Sequence, residues 1–182
     1  GQEPQLGYPE LARLLRRAGV ATDGANLQDA RELFRRMVFN ILMDNTDDHE
    51  KNHSLLVVAP FQHGRFRLAP AYDLLPTHSG QGYQEFICGK QGRDSTLDNA
   101  MSECDAFGLT PAEAAAEVLR VVGVVNTWKL HFVEMGVRQR DIESLAQQID
   151  GEHLSQQRLG FEPGRFAVLP GKRLRKSPFL TT

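Results

Sequence analysis

Between residues 44 and 53 the chain reads Asp-Asn-Thr-Asp-Asp-His-Glu-Lys-Asn-His, ten positions without an aliphatic, phenylalanine, tyrosine or tryptophan side chain. A stretch this polar cannot be core unless every polar atom finds a partner, so it must be a loop or a site. Its flanks have different periods. Before it, Leu27, Ala30, Phe34, Met37, Val38 and Ile41 recur at helical spacing, and after it Ser54-Leu55-Leu56-Val57-Val58 is a continuous, partly β-branched apolar run. The order predicted is a helix buried on one face, a polar loop and a strand.

The remaining elements follow from punctuation. Tyr8-Pro9-Glu10 opens a short amphipathic helix carrying Leu11, Leu14 and Leu15, stopped by Gly19. After a polar linker, Asn26 is the expected N-cap of the second helix. Arg65-Phe66-Arg67-Leu68, beyond a spacer with Pro60 and Gly64, completes a β-hairpin with the run after the loop. Ala69-Pro70-Ala71-Tyr72-Asp73 is extended by virtue of its proline, and the glycine-rich stretch from Pro76 to Arg93 reads as a surface or active-site loop, flexible in Gln81 to Arg93. A helix is expected over about 97–107. Thr110-Pro111-Ala112-Glu113 is a capping box opening a long helix to Gly136, with Val118, Leu119, Val122, Val125, Leu130 and Val133 as core and Trp128 and Phe132 as packing. A last helix over about 138–150 ends at Gly151, leaving a tail over 151–182.

The expected fold class is therefore mainly α with one small β-hairpin after the polar loop. A chain of 182 residues suits a single domain. With 41% hydrophobic and 24% charged residues and a net charge of −2, it has the composition of a soluble globular protein, and direct nucleic-acid contact is not expected. No run reaches the roughly 20 apolar residues of a membrane span, and no signal peptide is visible, so the expected compartment is the cytoplasm with no membrane partner. Cys88 and Cys104 are too few for a disulfide framework and read as buried or incidental thiols. The basic cluster Lys172, Arg173, Arg175 and Lys176 reads as a solvated tail.

Three chemistries compete for the polar loop. His49-Glu50-x-x-His53 has the letters of a zinc protease helix, but Lys51 and Asn52 stand between the second and third of them and a strand-like run follows. An ammonium beside a dication costs about 8 kcal/mol at 4 Å in an effective dielectric near 20. A calcium loop fails because His49 occupies the place of the turn glycine and Leu55 that of the bidentate glutamate. The third pattern is Asp47-x-x-x-x-Asn52 followed by Asp73, the order of a kinase proton acceptor, a metal-holding asparagine and a later metal-binding aspartate. Here Lys51 is an asset, because a cation can offset charge developing on a transferring phosphoryl group.

Asn45-Thr46-Asp47-Asp48-His49-Glu50-Lys51-Asn52, preceded by Phe39-Asn40 and followed by Leu68-Ala69-Pro70-Ala71-Tyr72-Asp73, closely resembles the C-terminal region of HipA-type serine/threonine kinases, bacterial toxins of toxin–antitoxin systems. The resemblance covers roughly residues 8–150. It implies the helical C-terminal lobe of a kinase-like fold, using ATP and Mg2+. Asp47 and Lys51 would be catalytic, Asn52 and Asp73 would hold metal, and His49 and Tyr72 would face the nucleotide. The implied partners are a protein substrate, such as an aminoacyl-tRNA synthetase or translation factor, and an antitoxin. No phosphate-covering glycine loop or lysine-bearing strand precedes the polar loop, so the chain is expected to be the C-terminal lobe without its nucleotide lobe, with negligible activity alone. The contrasting expectation is a non-catalytic helical module that contacts an antitoxin or another protein.

Overall fold

Proline and glutamate in the first turn and Arg16 and Arg17 in the last complement the dipole of α1 (Tyr8–Ala18), whose Tyr8, Leu11, Ala12 and Leu15 are buried. The computed structural model describes residues 6–59, 65–77 and 80–166. Across α1 lies α2 (Ala25–Leu42), buried through Ala30, Leu33, Phe34, Met37, Val38 and Ile41 as the helical period requires. Its start differs from expectation: Gly24, left-handed at φ 69°, is the N-cap, and Asn26 lies inside the helix. The Asn26 amide donates instead to the Arg16 carbonyl at 2.7 Å, tying α2 to the end of α1.

The hairpin forms as predicted. β1 (Leu55–Ala59) pairs antiparallel with β2 (Arg65–Leu68), Leu55 opposite Leu68 and Val57 opposite Phe66. Asp29 of α2 fixes it in place, accepting a fork from Arg67 at 2.7 and 2.9 Å and the Leu68 N–H at 2.9 Å.

Where the periodicity suggested long helices, hydroxyl side chains interrupt them. The expected 97–107 helix is α3 (Leu97–Met101) followed by a 3-10 turn over Cys104–Phe107. At the break, Ser102 Oγ donates to the Asn99 carbonyl at 2.6 Å and accepts from Lys90 N at 2.9 Å. The capping box is present as read, with Glu113 accepting from Thr110 N at 2.8 Å, and opens α4 (Pro111–Val125). This helix stops well before Gly136. Thr127 Oγ1 donates to the Val124 carbonyl at 2.9 Å, and the chain restarts as α5 (Trp128–Glu134). Val118, Val122 and Val125 are core; Leu119 lies off this face within α4 and is 43% exposed, and beyond the break the rephased stripe leaves Leu130 and Val133 61% and 56% exposed, all three contrary to their expected role. Trp128 packs edge-on against Phe132, as expected.

α6 (Gln139–Ile149) ends before Gly151, and α7 (Glu152–Leu159) occupies part of the segment read as tail. The pattern hid α7 because Leu154 is its one buried residue; polar bonds hold it, Gln157 accepting from Leu97 N at 2.9 Å and donating to the Ser95 carbonyl at 3.0 Å. The glycine-rich stretch is also more anchored than its composition implied, for Gln84, Phe86 and Cys88 are buried and Tyr8 N donates to the Ile87 carbonyl at 2.9 Å. Both cysteines are buried, and burial pushes the Cys88 thiol far above its ordinary value, so it stays protonated. The basic cluster Lys172 to Lys176 lies outside the described residues. Among the described residues no helix is long and apolar enough to cross a membrane.

Candidate functional site

The polar loop begins with a helix stop built without glycine. Asp44, at φ 55°, donates its N–H to the Ile41 carbonyl at 3.4 Å, and Asn45 N donates to the Asn40 carbonyl at 2.9 Å. This is the paired closure of a Schellman motif, with an aspartate accepting the left-handed position that glycine usually fills. The loop then crosses the 80–93 segment, where Glu85 N donates to the Thr46 carbonyl at 3.0 Å.

From here the side chains divide into two sets. Asp47, Glu50 and Lys51 are exposed, while Asp48 and Asn52 are buried at 1% and 6% exposure. Asp47, His49, Glu50 and Lys51 line a shallow depression with Glu85 and Arg93, which pair with each other at 3.0 Å. Among the described residues the Lys51 ammonium makes no ion pair, which leaves it available to an incoming anion.

Glu50–Asn52 forms one 3-10 turn, capped by His49 Nδ1, which accepts from Lys51 N at 3.3 Å. His49 and His53 therefore do not share a helix face. His53 turns inward, its side chain 2% exposed, stacked on Phe86 and hydrogen-bonded to Asp48 Oδ2 at 2.9 Å. The zinc reading fails on this geometry.

Asp73 arrives from the extended segment after β2. The segment is held by Arg36, which donates to the Ala69 carbonyl at 2.9 Å, and by Tyr72, whose hydroxyl donates to the Lys51 carbonyl at 2.6 Å and meets Ser54 Oγ at 2.8 Å. Tyr72 thus braces the loop with its hydroxyl while its ring stays 41% exposed. Asp73 is left-handed at φ 57°, a conformation costing about 1 kcal/mol or more in a non-glycine residue. That turn aims its carboxylate at the loop, where Asn52 Nδ2 donates to Asp73 Oδ2 at 2.7 Å. The Asn52 side-chain oxygen and the second Asp73 oxygen accept no hydrogen bond among the described residues, and both are hard oxygen donors of the kind a magnesium ion takes.

A family model for HipA-like C-terminal domains matches residues 2–128. The chain belongs to the HipA-like C-terminal domain family. The match contains α1, α2, the polar loop, the hairpin, Asp73 and all of α4, and stops at Trp128, short of the roughly 150 that the sequence resemblance suggested. No curated protein and no solved structure gives a significant match. In this HipA-like domain the sequence pattern identified Asp47, Lys51 and the buried Asn52 of the loop but gave no role to Asn45, Asp48 or His53. Tyr8, Asn40, Asn45, Asp48 and His53 form a hydrogen-bonded polar cluster beneath Asp47 and Asn52. Burial, and then the neighbouring Asp48 carboxylate, raise the Tyr8 hydroxyl well above its ordinary value, so it remains a donor. The available signal was Asn40, an amide flanked by Met37, Val38, Ile41 and Leu42 in the buried last turns of α2.

Proposed function

We propose that this domain is the catalytic lobe of a serine/threonine protein kinase that moves the γ-phosphoryl group of ATP to a protein hydroxyl. The observation carrying the proposal is the 2.7 Å contact between Asn52 and Asp73, residues 21 apart in sequence, beside a loop that exposes Asp47 and Lys51. In this reading Asp47 accepts the proton of the attacking hydroxyl as its oxygen bonds to the γ-phosphorus and the bond to the β,γ-bridging oxygen breaks. Lys51 faces the same depression and offsets negative charge on the phosphoryl oxygens. Asn52 and Asp73 would hold Mg2+, which would supply positive charge to offset that of the nucleotide phosphates. His49 and the exposed ring of Tyr72 are the side chains proposed to meet the nucleotide.

The family resemblance supports an aminoacyl-tRNA synthetase or translation factor as substrate, an antitoxin as partner, and a cytoplasmic setting. It also supports a second lobe as the other wall of the cleft, so turnover by these 182 residues alone should be negligible. A non-catalytic module that contacts an antitoxin would have no use for a proton acceptor, an amide and a carboxylate arranged in this way. The test needs only this chain: Mn2+ or Mg2+ is titrated while backbone amide resonances are followed. Asn52 and Asp73 are expected to respond together and ahead of the surface carboxylates. A response spread over surface acids, or none at these two residues, would sink the assignment.

A further inference from the structure

Five buried or nearly buried polar side chains beneath the loop do no chemistry in the proposed reaction, yet they join its parts in a closed circuit. Starting from Asp73, its carbonyl accepts from Asn45 Nδ2 at 3.2 Å, and the same amide donates to Asn40 Oδ1 at 3.1 Å. Asn40 Nδ2 donates to the Tyr8 hydroxyl at 2.9 Å. Tyr8 in turn donates to Asp48 Oδ2, which also accepts from His53 Nε2 at 2.9 Å. His53 is the next residue after Asn52, and Asn52 closes the circuit on Asp73 Oδ2 at 2.7 Å.

Two features set this circuit apart from ordinary core satisfaction. Its register matches that of the pair given roles in the proposed reaction: Asp47 and Asn52 are five apart, and so are Asp48 and His53, each one residue on. The bond between the inner pair therefore fixes the chord between the outer pair. The circuit is also kept at a cost, since Asp48 Oδ1 and His53 Nδ1 are buried without a protein partner. An aliphatic filling would avoid that cost but could not set a chord length, because apolar contact is non-directional.

We infer that Tyr8, Asn40, Asn45, Asp48 and His53 are positioning residues, a buried hydrogen-bonded ring in which Asp48 sets the spacing of Asp47 and Asn52 and Asn45 sets the backbone of Asp73. The inference rests on the kinase reading for its purpose but not for its geometry. In the ring α1 supplies Tyr8, the end of α2 supplies Asn40, and the loop supplies the rest. Tyr8 is therefore 65 residues from Asp73 yet three hydrogen-bonding side chains away from its carbonyl.

The test has a metal-free arm and a metal arm, both on this chain. Tyr8→Phe and Asp48→Asn are compared with Val118→Ala, a core change in α4 that lowers stability without touching the ring. Without metal, Tyr8→Phe and Asp48→Asn should shift the Asn52 side-chain amide and Asp73 backbone amide resonances, and Val118→Ala should leave both in place. With Mn2+ as the probe, the two ring variants should bind at least tenfold more weakly than the unaltered chain, with Asn52 and Asp73 no longer sharing a midpoint, while Val118→Ala stays within twofold. Tyr8→Phe removes one oxygen from a residue that keeps its packing, so it carries the test if Asp48→Asn does not fold. Folded Tyr8→Phe with unmoved Asn52 and Asp73 resonances overturns the ring, whatever the metal does. Shifted resonances in a chain that never binds Mn2+ leave the ring standing and overturn the kinase reading.

Discussion

Asp47 and Asp48 are adjacent, chemically identical and opposite in fate. One is exposed on a depression beside an unpaired lysine, and the other is 1% exposed between a tyrosine and a histidine. The two should respond differently to loss of charge. In a form that supports phosphoryl transfer, Asp47→Asn is expected to lower it by about 10²- to 10⁴-fold, the usual contribution of a positioned proton acceptor, with the thermal midpoint essentially unchanged because the residue is exposed. Radiolabel transfer and a thermal melt on the same preparation check both halves, and a variant that keeps full activity refutes the assignment of Asp47. At this scale the spacing of exposed polar residues was legible from sequence, because loop chemistry depends on local order. The buried set was not legible, since nothing local distinguishes the aspartate that turns inward from the one that turns out.

Element by element, the period of the apolar residues predicted which helices form better than where they stop. α1 and the hairpin followed their patterns, α2 did so from Ala30 onward while Leu27 of its predicted stripe is 51% exposed, and the capping box at Thr110 and Glu113 fixed the start of α4 to the residue. The long helix failed at Asn126 and Thr127, where a threonine hydroxyl takes a backbone carbonyl and the stripe loses phase. That difference is measurable. Val118, fully buried, should cost about 1–3 kcal/mol when truncated to alanine, whereas Val133→Ser, at a position 56% exposed, should stay within about 0.5 kcal/mol. Urea unfolding of the two variants decides between an interrupted helix and a continuous one, for a continuous core stripe would make both costly.

For the molecule as a whole, α2 and α4 are joined across their polar edge by ion pairs to Glu113, which meets Arg31 at 3.3 Å, and to the more deeply buried Glu117. Glu117, with its side chain 6% exposed, accepts a fork from Arg35 at 2.7 and 3.2 Å and has Arg120 at 3.7 Å and Arg31 at 3.9 Å. The Arg35 guanidinium first, and then the charges of Arg35, Arg120 and Arg31, hold this carboxyl below the ordinary glutamate range. A depressed value means that below about pH 4.3 the unfolded chain takes up the proton more readily than the folded one. The contribution is therefore complete at neutral pH and is lost as pH falls through the folded value. Glu117→Gln should destabilise the protein by about 1–2 kcal/mol at pH 7, kept modest because Arg35 is a third exposed, and the gap should close as pH falls through the folded value. Thermal melts between pH 7 and pH 3 test this, and a gap that persists in acid would assign the effect of Glu117 to packing rather than charge.

Taken alone, the sequence determined that a buried helix gives way to a polar loop and a hairpin, which family the loop resembles, and that Asp47, Lys51 and Asn52 share one loop, because periodicity, caps and motif spacing are local properties of the chain. Only the tertiary structure decided that Asn52 meets Asp73, that Asp48 and His53 face inward, and that Tyr8 from the first helix joins them. Those are contacts between residues up to 40 positions apart, set by how helices and loop pack together, and no local pattern encodes the direction in which a polar side chain will turn.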